Sequence, residues 1–277
     1  MIDYVIGTGG AGDKPVTLKI LDGARVVRRY ASTDTAMAPA DVGNTPRYWI
    51  RPTQILSAEP GMHRFVWDLR YPAPGVLNVQ YPISATPHNT PKEPHGPWVV
   101  PGTYTVRLTV NGQTYTQPLT VRMDPRVKAS AATLARQFAL SKGVYDDINR
   151  TRGVLDELRA LRANLHELRR RASGDLMPAV DSIDRAAGAF EGGGGGFGGG
   201  GGGDRAAAAP TLTGTIGELE QLYGALQEAD VQPTTQLVVA VQAAQRQVSP
   251  TLARWDTLRA RATARLGTQI RPLGPPK

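Results

Sequence analysis

Four histidines, His63, His88, His95 and His166, are the only imidazoles of this 277-residue chain, and it contains no cysteine. Thiolate ligands, thiol nucleophiles and disulfides are therefore excluded, and any metal site would have to be built on histidine and carboxylate. None of the four lies three to five residues from another, and none falls in an H-E-x-x-H pattern, the spacings that put two imidazoles on one ion. His88 and His95 share a segment with Glu93, and the three read as solvated side chains. His166 follows Leu165 and falls on the boundary of a helix face.

Acid–base cleavage of a glycoside needs two carboxylates held roughly 5–10 Å apart in a cleft. Asp146-Asp147 and Asp156-Glu157 are neighbours on helices, point in different directions, and read as solvated faces. Asp68 is expected to pair with a nearby arginine. No serine stands in a G-x-S-x-G elbow. Gly7-Thr8-Gly9-Gly10-Ala11-Gly12 matches the dinucleotide fingerprint, but that motif works only where a helix starts at the glycines. Pro15 and the alternating Val16 to Ile20 predict a second strand there, so the glycines are assigned to a hairpin loop. The glycine tract at 192–203 ends in Gly203-Asp204-Arg205, without the Gly-Lys-Ser/Thr that holds phosphate and magnesium. Catalytic, cofactor-binding and metal residues are thus all expected to be none. The residues left for contact with a partner or substrate are Trp49, Arg51, His88, His95 and Trp98, whereas Trp67 and Trp255 are in phase with apolar faces and belong to cores.

The elements that must position these residues divide the chain. Val16, Leu18 and Ile20 alternate with polar residues, and Asp22-Gly23 turns them into Arg25 to Val27. His63, Phe65, Trp67 and Leu69 are placed on one face of a strand. The clearest hairpin runs from Thr103 to Met123 around Asn111-Gly112, and its two-residue loop pairs Leu108 with Tyr115, Val106 with Gln117 and Tyr104 with Leu119. Gln117 before Pro118 is the place for a bulge or a sheet edge. Between these strands, residues 71–101 hold eight prolines and must form a long loop.

From Ser130 the period changes to 3.6, with Leu134, Phe138, Tyr145 and Ile148 followed by Leu155, Leu158, Leu161, Leu165 and Leu168. One helix of up to about 40 residues fits this run. Asp175 is expected to cap a second helix, with Val180, Ile183, Ala187 and Phe190 inward. A third uses Ile216, Leu219, Leu222, Tyr223 and Leu226. A fourth starts near Pro233 and is expected to kink or break at Ser249-Pro250. The glycine tract reads as a flexible loop between the second and third helices. The fold class is therefore α+β, with two domains: an N-terminal antiparallel Ig-like β-sandwich over 1–124, and an antiparallel bundle of long helices over 125–277.

A net charge of +8 raises anionic partners, but it is spread over both halves. The densest cluster, Arg169-Arg170-Arg171, falls at a helix end, where cations meet the exposed carbonyls. Nucleic acid is not expected as a partner. No stretch approaches the roughly 18 apolar residues of a membrane span, and the start of this chain carries no signal-peptide pattern.

Gly61 to Pro72 (GMHRFVWDLRYP), Val100 to Val110 (VPGTYTVRLTV), Gln117 to Val121, Pro15 to Arg29 and the tail around Pro210 to Thr213 and Ala253 to Trp255 resemble the C-terminal region of bacterial sortilin-like, BNR-repeat propeller proteins, often labelled glycosyl hydrolases. The W-D and P-G-x-Y elements are also similar to the Ig-like domain of flagellar hook-capping proteins. The resemblance implies an exported propeller followed by this sandwich and helical tail, placed in the periplasm or outside the cell. It carries over no catalytic residue, because a sialidase-like site would lie in the blades. The expected function is a non-catalytic accessory or interaction module whose partner is the propeller or another protein, with a glycan as a further candidate. The alternative is a substrate-binding or structural part of a glycoside hydrolase.

Overall fold

The structure, a computed structural model, describes residues 1–36, 45–82, 86–171, 174, 176–192 and 209–270. It is α+β, with antiparallel strands first and helices after them. Two compact units divide it: Met1–Pro74, Asn78–Ala139 and Ala229–Gln232 form one, and Gly75–Leu77, Leu140–Glu228 and Pro233–Lys277 the other.

In the first unit, β1 (Ile2–Ile6) pairs antiparallel with β4 (Gly61–Phe65). A second sheet has the order β3-β2-β5-β6, from β2 (Thr17–Asp22), β3 (Arg25–Ala31), β5 (Gly102–Val110) and β6 (Gln113–Val121). Alternation places Tyr4, Ile6 and Phe65 of the small sheet and Leu18, Ile20, Tyr104 and Val106 of the larger one in a single core with Trp67. The β5–β6 register is the expected one, Leu108 opposite Tyr115, Val106 opposite Gln117 and Tyr104 opposite Leu119, and it runs without a bulge. The irregularity falls in β2–β3 instead, between Ile20 and Leu21.

Pro118 marks an edge, since β6 pairs only with β5. A two-residue loop at Asn111-Gly112 makes Val110 and Gln113 a hydrogen-bonded pair, so alternate residues Thr116 and Pro118 direct their backbone groups away from β5. Proline is tolerated there and deletes one N–H from the open edge.

Two strand readings are corrected. β1 pairs with β4, while β2 pairs with β3 and β5, so the glycines at 7–12 connect two sheets and do not close a hairpin. Local alternation marks β1 and β2 as strands; it cannot say which strands they pair with. β4 stops at Phe65, and the strand face expected to reach Leu69 ends there: Leu69 has φ 59°, and the indole Nε1 of Trp67 donates to the Arg70 carbonyl at 3.0 Å, closing a turn. Asp68 serves that turn, its carboxylate accepting the backbone N–H of Arg70 at 3.2 Å.

The helices are α1 (Ala131–Arg169), α2 (Leu176–Glu191), α3 (Leu212–Gln227) and α4 (Thr235–Leu266). The first turns of α1 belong to the strand unit, where Phe138 stacks near Tyr71 with ring centroids 5.8 Å apart. In the second unit Leu155, Leu158, Leu161, Leu165 and Leu168 are all fully buried, against Val180, Ile183, Ala187 and Phe190 of α2 and Trp255, Leu258 and Ala262 of α4. Each such leucine contributes about 2 kcal/mol of burial, far more than helix propensity supplies. The Asp175 cap and the glycine tract at 193–203 lie outside the described residues.

Of the expected kink or break at Ser249-Pro250, the break does not occur: helix α4 runs continuously through Pro250. Val248, Thr251 and Trp255 are buried on both sides of it, and the Thr251 hydroxyl donates to the Gln247 carbonyl at 2.7 Å. Packing offsets the backbone bond that proline removes. The paired carboxylates are also corrected: Asp147 is buried, held by Arg150 and by Gln245 Nε2 at 2.9 Å, and Glu157 accepts the Trp255 indole at 2.9 Å. Adjacent helical positions diverge by about 100°, so each pair keeps one carboxylate in water, Asp146 and Asp156, and sends the other inward.

Candidate functional site

The proline-rich segment is laid onto the strand unit by backbone bonds. Thr90 N–H donates to the Trp49 carbonyl at 2.9 Å, Arg51 N–H to the Thr90 carbonyl at 2.8 Å, and His88 N–H to the Tyr48 carbonyl at 2.9 Å. A short parallel bridge, Ile50 with Thr90, results. Further on, Tyr71 N–H donates to the Pro97 carbonyl and Val99 N–H to the Leu69 carbonyl, forming the Arg70–Trp98 bridge. Prolines have no N–H to give to a ladder, and isolated bridges at non-proline positions hold the segment. Gly96 is required at this crossing: a Cβ there would be driven into the carbonyl oxygens of Tyr71 and Pro72.

Five residues were singled out by sequence. Trp98 is 42% exposed, and Arg51 and His88 are exposed; Trp49 and His95 are half-buried. Arg51 is fixed by Asn89, its Nη2 donating to Oδ1 at 2.8 Å and its Nε to the same atom at 3.1 Å. Trp49 meets Tyr48 edge-on with ring centroids 5.9 Å apart. His88 has φ 53°, a turn position at which its backbone is the part that pairs.

The structure adds Arg70, whose guanidinium carbon lies 3.6 Å from the Trp98 ring centroid and whose Nη1 donates to the Gly96 carbonyl at 2.9 Å. Burial holds the His95 imidazole below its usual range, and the nearby charge of Arg70 pushes the same way. Glu93 and Asp68 act in the opposite sense, and Arg51 again lowers it. Arg70, Glu93, Asp68 and Arg51 therefore all contribute to the electrostatic surroundings of His95. Residue type hinted at Arg70 two positions after Asp68; its stacking partner is 28 residues further on, beyond any local pattern.

Chemically, Trp98 and Arg70 offer an exposed aromatic side chain with a guanidinium over its ring. Among the described residues no group of three or more His, Asp or Glu side chains is placed to hold a metal ion.

A second feature was not visible in the sequence. A groove of about 490 Å³ runs between β1 and the β5–β6 hairpin, lined by Ile2, Leu108, Val110, Tyr115 and Leu119 among others. Leu108, Val110 and Leu119 are half-buried and Tyr115 is 55% exposed, so the core reaches solvent along this side.

No helix among the described residues is long and apolar enough to cross a membrane. Known protein families, curated proteins and solved structures give no match to this chain.

Proposed function

We propose that this chain is a non-catalytic interaction module, the accessory C-terminal portion of an exported, sortilin-like propeller protein, acting in the periplasm or outside the cell. The two sheets sharing one core fit an Ig-like sandwich, and the four helices fit an antiparallel bundle. The observation that carries the reading is the apolar groove beside β1, with Ile2, Leu108, Val110 and Leu119 left partly in water. A contiguous apolar strip of this kind marks a protein contact more often than a solvated face.

The test is calorimetric titration of the chain with a sortilin-like propeller from the same genome. Binding is expected, weakened at least about tenfold by Val110→Asp or Tyr115→Asp, since each sets a charge in a buried apolar contact. No heat of binding, or equal affinity of both variants, would discard the reading. Turnover of a glycoside by the isolated chain would discard its non-catalytic part.

The exposed indole of Trp98 beside Arg70 and His95 favours one alternative, a glycan-contacting part of a glycoside hydrolase. A sugar ligand would then depend on Trp98, and the groove variants would leave it unchanged.

A further inference from the structure

Along β2 the side chains alternate, Leu18 and Ile20 into the core and Thr17 and Lys19 onto the opposite face. Register decides what stands beside Lys19. It is directly opposite Arg29 of β3 on one side and Arg107 of β5 on the other, and Arg107 is opposite Thr116 of β6. Three cations thus occupy one row across three strands, one strand spacing of about 4.8 Å apart.

Threonines surround the row. Thr17 is opposite Thr109, which is opposite Thr114, the last two hydroxyls lying 3.2 Å apart; Thr103 is opposite Thr120. Arg29 and Arg107 are exposed and Lys19 half-exposed. Asp34 lies 3.6 Å from Arg29, while among the described residues Lys19 and Arg107 have no acidic partner. Like charges placed directly opposite each other on a sheet are destabilising, so the row works against the fold that carries it. An anionic ligand would offset that repulsion.

We propose that this face binds an acidic polysaccharide, a sugar chain bearing carboxylate or sulfate groups. The regular cation spacing meets charges repeated along an extended chain, and the threonine hydroxyls can donate to and accept from sugar hydroxyls. The rows described carry no aromatic side chain on which a base could stack, and the face of a four-stranded sheet offers no helix or free two-stranded ribbon for a DNA groove, so nucleic acid fits less well. Arg107 alternates along β5 with Leu108, so the cations take the opposite face from the apolar lining of the groove, the two meeting only at Thr116, and the inference stands or falls separately from the proposed function.

The experiment is binding of the full chain to labelled polygalacturonate and dextran sulfate, with neutral dextran, single-stranded DNA and phosphatidylglycerol vesicles in parallel. Acidic polysaccharide binds and neutral dextran does not. Affinity falls with salt at a log–log slope of about −2, as expected for two to three neutralised charges. Lys19→Gln with Arg107→Gln weakens binding at least about tenfold, since each charge-assisted contact is worth more than about 1 kcal/mol. Lys19→Arg with Arg107→Lys restores it, with circular dichroism unchanged in both. Binding to neither acidic polysaccharide, equal affinity of the Gln variant, or tighter binding to DNA or to vesicles overturns the proposal.

Discussion

The guanidinium carbon of Arg70 lies over the ring of Trp98, 3.6 Å from its centroid, and the same side chain donates to the carbonyl of Gly96 at 2.9 Å. One side chain therefore fastens the proline-rich segment twice, by cation–π attraction and by a charged hydrogen bond. Because Trp98 is 42% exposed, the contact shapes an exposed face and does not build the core.

Arg70→Ala should lower stability by about 1–2 kcal/mol, the sum of a partly exposed cation–π contact and one hydrogen bond. Hydrogen exchange at Val99, whose N–H is bonded to the Leu69 carbonyl, should speed up in the variant. Arg70→Lys keeps the charge but not the planar stack, and should recover only part of the loss. Unchanged exchange at Val99 would show that backbone bridges alone hold the segment.

His95 should make stability depend on pH. Its folded imidazole titrates below the ordinary 6.5, chiefly through burial and then through Arg70. The unfolded chain then takes up its proton first as pH falls, so stability is fully present above about 6.5 and is lost as pH drops from there through the folded value. Denaturation between pH 8 and 5 should show that loss, and His95→Gln should flatten it. Arg70→Ala should make this loss smaller, because removing a neighbouring cation lets the folded imidazole titrate closer to 6.5.

In the helical unit, the indole of Trp255 donates to the Glu157 carboxylate at 2.9 Å, with both residues buried and Arg259 at 3.6 Å from the same oxygen. Trp255→Phe should cost about 1–3 kcal/mol, because it leaves a buried acceptor short of its donor as well as losing packing. Glu157→Leu made together with Trp255→Phe should cost less than the two single changes summed. Additive costs in a double-mutant cycle of chemical denaturation would mean that the pair does not interact energetically.

Periodicity and turn chemistry alone settled most of the elements. Asn111-Gly112 imposed the β5–β6 register because so few residues accept the positive φ of a two-residue turn: Asn111 has φ 50° and Gly112 φ 83°. Leu155 to Leu168 fell on one helical face and are all buried, since a 3.6-residue period leaves no other placement for that much apolar surface. What the chain could not announce locally were contacts made at long range. That β1 would leave β2 and pair with β4, and that one carboxylate of each adjacent pair would turn inward, depended on residues 55 to 98 positions away, and Pro250 sits inside a continuous helix whose buried neighbours are likewise set by packing. The same holds for the surfaces of interest. Lys19, Arg29 and Arg107 are unremarkable where they stand in the chain, and only the pairing of three strands lines them up; Arg70 meets Trp98 only because bridges fold the proline-rich segment back over its own start. Alternation within a strand tells which face a residue takes, but its neighbours on that face are chosen by which strands come together, and that choice is made by the whole core.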